Sequence, residues 1–153
     1  MSYDVEVNGL KKLRLGNILL VIAPILVLIG TASMFIALFS GLTITSAAAT
    51  VILVAIVGVI LEFVAVIMFM SGFGTLKSVV KEVGIGRTGS ILILVAAIFL
   101  ILSLVGIFAR VFALTFLLPL AALIYFIGDI LLAIGFYRVG SRYNSGLVKV
   151  GGI

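Results

Sequence analysis

Neither cysteine nor histidine occurs in this sequence. Their absence excludes a disulfide, a thiolate nucleophile, a Cys/His zinc or iron–sulfur centre, and a histidine-ligated haem or copper. No metal, cofactor or catalytic residue is expected, and the chain does not read as an enzyme. Glutamine is missing too, and asparagine is limited to Asn8, Asn17 and Asn144. Scarcity of these thermolabile residues fits a heat-adapted source, although a very apolar chain would show the same shortage. Charge is the next deficit: 10% of residues are charged against 65% hydrophobic, where an ordinary soluble domain has about 25% charged residues. With a mean hydropathy of +1.55, the solvent for most of this chain is lipid.

What is present is arranged in long uncharged runs. Crossing a hydrocarbon layer of roughly 30 Å takes about 18 or more apolar residues, and the runs predict membrane helices over 16–39, 46–71, 90–108 and 113–137. The first apolar run, 17–40, is longer than that of a signal peptide and lacks a convincing cleavage site, so it reads as a retained helix. Pro24 and Gly30 inside it are tolerable in a membrane helix. A turn is expected at 41–45, with Ser46 capping the second helix. That helix is predicted to continue through 72–83 along the bilayer surface, because Leu76, Val79, Val80 and Val83 keep helical spacing while Lys77 and Lys81 face away. Ahead of the first span, Val7, Leu10 and Leu13 mark one face of a short interfacial helix.

The basic residues set the orientation. Lys11, Lys12, Arg14, Lys77, Lys81, Arg87, Arg138, Arg142 and Lys149 fall on one side of the predicted spans, and Arg110 alone falls on the other. Short loops rich in Lys and Arg stay in the cytoplasm, so a plasma-membrane protein with both termini cytoplasmic is expected. The same flanking positions assign the net charge of +5 to lipid headgroups or an acidic partner rather than to nucleic acid.

A short signal recurs. Arg14-Leu15-Gly16-Asn17-Ile18-Leu19 and Arg87-Thr88-Gly89-Ser90-Ile91-Leu92 both read Arg-x-Gly-x-Ile-Leu. The even-numbered helices carry small residues seven apart, Gly58, Ala65 and Gly72 in one and Ala121, Gly128 and Gly135 in the other. Such spacing keeps them on one face and lets another helix approach closely. The fold class is therefore all-α, a polytopic membrane protein of four transmembrane helices in two parallel-repeated hairpins with short interfacial helical extensions. The segments are 1–15 (interfacial), 16–85 (first repeat), 86–148 (second repeat) and 149–153. Lys149-Val150-Gly151-Gly152-Ile153 echoes the start signal, and a natural chain that continues into a third repeat is the expectation.

Arg14-x-Gly16, Val83-Gly84-Ile85-Gly86-Arg87-Thr88-Gly89 and, most specifically, the segment from Gly135-Phe136-Tyr137-Arg138 through Arg142-Tyr143-Asn144 to Ile153 resemble a family of archaeal multi-pass membrane proteins of unknown function from thermoacidophiles. The resemblance covers essentially the whole chain and implies a multi-pass membrane fold. In that family the Lys-x-Gly-Gly-Ile segment is followed by a further apolar stretch. The family has no assigned activity, so no site residue follows from it.

Candidate sites come from the residues themselves. Glu62 and Asp129 are the acids inside the predicted spans, where unpaired charge is expensive and function is suspected by default. Counted along their helices, both should lie about 24 Å from the outer end, in the inner third. Tyr125, one turn before Asp129, is placed to hydrogen-bond its carboxyl, and Gly58 puts Glu62 on a close-packed face. Three readings stand for the pair: hydrogen-bonded glue between helices, a proton or cation site, or contact with a partner or lipid. Gly84, Gly86 and Gly89 spell Gly-x-Gly-x-x-Gly, but a nucleotide loop needs a preceding strand; a turn at the membrane surface, with Thr88 or Ser90 as cap, is the favoured reading. Arg110 is expected to anchor the outer turn. Arg138, Arg142 and Lys149 with Tyr137 and Tyr143 read as a headgroup anchor. For the whole chain the expectation is a scaffold or accessory subunit with a membrane-protein partner or as a homo-oligomer. A small ion, proton or solute transporter or channel using Glu62 and Asp129 is the alternative, and a coat or vesicle component a third reading.

Overall fold

The computed structural model describes residues 2–39 and 46–144. The turn at 41–45, Lys149 and the third start signal lie outside them. In chain order the elements are α1 (Ser2–Phe39), α2 (Ser46–Lys77), a 3-10 turn (Lys81–Val83), α3 (Gly84–Phe108), the short α4 (Phe112–Thr115) and α5 (Leu117–Arg142). Among the described residues there is no strand. Four segments are long and apolar enough to cross a membrane: Tyr3–Gly30, Ile56–Lys77, Lys81–Ser103 and Ala113–Arg142. Val21, Leu28, Ile56 and Phe126 are more than half exposed along them, as expected of side chains solvated by lipid rather than by a protein core. The protein is an all-α, multi-pass membrane protein.

Helix boundaries depart from the sequence reading at three places. The interfacial segment is not a separate helix, since α1 runs unbroken from Ser2 to Phe39 with Pro24 inside it. Nothing between Leu13 and Asn17 disfavours helix strongly enough to stop it, and Leu13 and Gly9 are buried. The continuation of α2 beyond residue 71 is shorter than expected: α2 stops at Lys77 and Val80 is extended, with φ −126° and ψ 93°. Ser78 ends the helix locally, its hydroxyl and its N–H both donating to Thr75 O, at 2.7 and 3.3 Å. Third, α3 begins at Gly84 rather than Ser90. Thr88 and Ser90 are therefore inside the helix and cap nothing; the Ser90 hydroxyl donates back to Gly86 O at 2.9 Å, the bond that Ser makes within helices. Ser46 is the first residue of α2, where a helix start was expected.

The fourth span is divided. Pro119 lies in the first turn of α5, where its missing N–H is no loss, while its ring crowds the carbonyl four residues back and ends α4 at Thr115. Before it, α3 closes with Ala109 N donating to Val105 O and Val111 N to Gly106 O, both at 2.8 Å, around Arg110 in the left-handed region at φ 56°. This is the glycine-type helix stop made with an arginine.

The chain forms two compact units, residues 1–13 with 69–153, and residues 14–68. In the second unit α1 and α2 touch at Gly58, whose missing side chain leaves room for Ala23 O and Val27; a Cβ there would stand 2.9 and 2.8 Å from them. In the first unit α3 and α5 run antiparallel in backbone contact. A Cβ on Gly89 would meet Leu132 N at 2.5 Å and Gly128 O at 2.6 Å, and one on Gly135 would meet Gly86 Cα at 2.5 Å. Phe73 fills the notch at Gly86 and Gly135 and packs edge-on against Phe136, 5.1 Å between ring centres, with Phe69 on Phe136 at 5.2 Å. The Arg-x-Gly signal thus lies within helices in both copies, and Gly89 serves close packing rather than a turn.

Candidate functional site

Several polar groups of the first unit lie near the C-terminal ends of α2 and α5. Lys12 is half-buried on α1, and its Nζ donates to Ser71 Oγ at 2.9 Å and to Thr75 Oγ1 at 3.5 Å. Thr75 Oγ1 in turn donates to Ser71 O at 2.9 Å. Arg87, from α3, lays its Cδ, Nε and Cζ along α2 at Gly74, 3.5 to 3.7 Å from where a Cβ would stand. The Lys77 stem covers Gly84 in the same way. These cations lie at the C-terminal end of α2, where the helix dipole favours them.

A cavity of about 370 Å³ opens at the end of α5, lined by Val80, Glu82, Val83, Tyr137, Arg138, Ser141 and Arg142. Arg138 donates to Glu82 O at 2.7 Å, tying α5 to the 3-10 turn. Beyond α5, Tyr143 closes the helix with its N–H on Val139 O at 3.0 Å, and Asn144 takes the left-handed conformation at φ 51°. The Tyr143 hydroxyl is enclosed without a well-formed hydrogen bond among the described residues. Burial, reinforced by the Glu6 carboxylate facing it, pushes its pKa above the usual 10, while Arg142 pulls the other way.

The remaining predicted basic residues Lys11, Arg14 and Lys81 are exposed, as is Arg110. All six small residues of the even-numbered helices, Gly58, Ala65, Gly72, Ala121, Gly128 and Gly135, are buried. Gly72 meets Leu13 and Gly9, and Gly128 meets Ile93 and Gly89. Glu62, half-buried, belongs to the unit formed by residues 14–68, and Asp129 to the other. Asp129 lies near the middle of α5, which runs from Leu117 to Arg142. It is exposed, and Tyr125 one turn earlier is exposed beside it. The three glycines of Gly-x-Gly-x-x-Gly are taken up by α3 and its contacts, and no strand precedes them among the described residues.

The hydroxyls Ser71 and Thr75 escaped the sequence reading. Their spacing of four was the available signal, but polar residues near a span end are common, and Lys12 is 59 residues away from Ser71. No curated protein and no solved structure matches the chain. Residues 6–153 match the family described as "Protein of unknown function (DUF973)", and with nearly the whole sequence covered, the chain belongs to that family.

Proposed function

We propose that this protein is a non-catalytic subunit of a membrane assembly and docks on a partner helix through the outer face of α5. One observation carries the reading: Asp129 is exposed at the centre of a helix long and apolar enough to span the membrane. An acid at the middle of a membrane helix costs about 3 kcal/mol to insert, and an exposed one calls for a covering group. The partner that fits is a membrane helix bearing a hydrogen-bond donor or cation level with Asp129, flanked by surface complementary to Phe126 and Tyr125. Absence of cysteine and histidine supports a role without chemistry of its own.

The same reading includes a tandem repeat of two hairpins. Leu13 packs on Gly72 as Gly86 packs on Gly135, and these pairs correspond under the alignment that matches Gly16 to Gly89 and Gly72 to Gly135. Termini in the cytoplasm are what the one-sided Lys and Arg favour, and residence in the plasma membrane is part of the same proposal. Site-specific photo-crosslinking from position 126 in native membranes tests the docking face. Expected is an adduct with a membrane protein whose cross-linked helix carries a donor within one turn, lost in Asp129→Leu; an adduct unaffected by that substitution contradicts the reading.

Transport is the second reading, favoured by the placement of Glu62 and Asp129 within spans. It predicts that Glu62→Gln and Asp129→Asn abolish proton or cation flux in proteoliposomes of the pure protein. Flux unchanged in both sinks it.

A further inference from the structure

Lys12 and Arg87 reach the same stretch of α2 from different helices. Lys12 Nζ rests on two hydroxyl oxygens, Ser71 Oγ at 2.9 Å and Thr75 Oγ1 at 3.5 Å, which accept its protons and leave its charge uncompensated. Thr75 has already given its own proton to Ser71 O. The Arg87 guanidinium lies on bare backbone at Gly74, with Nε 3.5 Å from the Cβ position. Residues 74 and 75 are each helical neighbours of 71, with side-chain positions about 5–6 Å from it, so Lys12 and Arg87 approach the same turn of α2.

Two cations over the same turn of α2 favour an anion bound between them. Ammonium, planar guanidinium and the Ser71 hydroxyl, whose own proton is left to donate, are the set that recognises the oxygens of a phosphate group. The location agrees: these residues occupy the last two turns of a span that ends at Lys77, level with the headgroup layer of a membrane. We propose that Lys12, Arg87 and the Ser71–Gly74–Thr75 face of α2 form a phosphate-binding site, independent of the partner face on α5.

The phosphate can belong to an anionic lipid headgroup or be free, and binding to the purified full chain in nonionic detergent separates them. The probes are phosphatidylglycerol, phosphatidylcholine and inorganic phosphate, followed by native mass spectrometry and titration calorimetry. Expected is one site that prefers phosphatidylglycerol to phosphatidylcholine, weakened about tenfold or more by Lys12→Met and by Arg87→Gln, and unchanged in Arg142→Gln. Preference for the anionic lipid that inorganic phosphate does not displace assigns a headgroup. Saturable inorganic phosphate binding without lipid preference assigns free phosphate; either result, lost in Arg87→Gln, supports the site. Should Lys12→Met fail to fold, the exposed Arg87 and the conservative Ser71→Ala carry the test. Wild-type affinity in Arg87→Gln and Ser71→Ala, or no binding of any probe, overturns the proposal.

Discussion

At the scale of single residues, glycine does opposite work at positions that look alike in sequence. A methyl group at Gly89 would press on Leu132 N and Gly128 O, which belong to backbone and cannot swing away. Gly89→Ala is expected to destabilise the fold by about 1–3 kcal/mol despite the helix-propensity gain of about 1 kcal/mol. Gly74→Ala meets the flexible Arg87 side chain at 3.5 Å and should be neutral or stabilising by up to about 1 kcal/mol. Unfolding in mixed micelles compares the two. Ser103 Oγ is buried with no hydrogen-bond partner among the described residues, so Ser103→Ala should leave stability unchanged or raise it by about 1 kcal/mol. Arg110 holds a left-handed conformation that costs a non-glycine residue about 1–2 kcal/mol. Arg110→Gly is expected to recover about half of that in the same unfolding assay.

At the scale of elements, the spans were legible and their ends were not. Hydropathy summed over 18 or more residues is insensitive to any single side chain, and all four predicted spans overlap the four long apolar segments. Gly84, Gly86 and Gly89 misled because glycine's backbone freedom signals a turn locally, whereas here its lack of a side chain is what matters, with α5 and Phe73 lying against it. The unbroken α1 was hidden for a related reason: charges at Lys11, Lys12 and Arg14 suggested a boundary, yet Leu13 and Gly9 bury against α2 and carry the helix through. Contacts such as Lys12 with Ser71 join distant segments and leave no periodic trace in sequence. The closure of α5 by Tyr143 supplies a pH test. Its phenol titrates near 10 when unfolded and higher when folded, so below 10 both states are protonated and the contribution is constant. Above 10 the unfolded chain loses its proton first, and stability falls as pH rises through the folded value. Tyr143→Phe should flatten that alkaline decline in a pH-dependent unfolding series.

At the scale of the molecule, the chain is a multi-pass membrane protein in which Lys12 and Arg87 meet α2 near its C-terminal end and Asp129 is exposed near the middle of α5. Membership of a family of unknown function leaves the role to physical argument, and the exposed Asp129 is the feature least compatible with a protein standing alone in lipid. The most direct measurement is the photo-crosslink from position 126 in native membranes, with and without Asp129→Leu. The account predicts one dominant adduct to a different membrane protein, through a helix bearing a donor or cation near the cross-link, and its loss in the variant. Cross-linking to lipid alone, to α5 of a second copy, or equally in both proteins would contradict it.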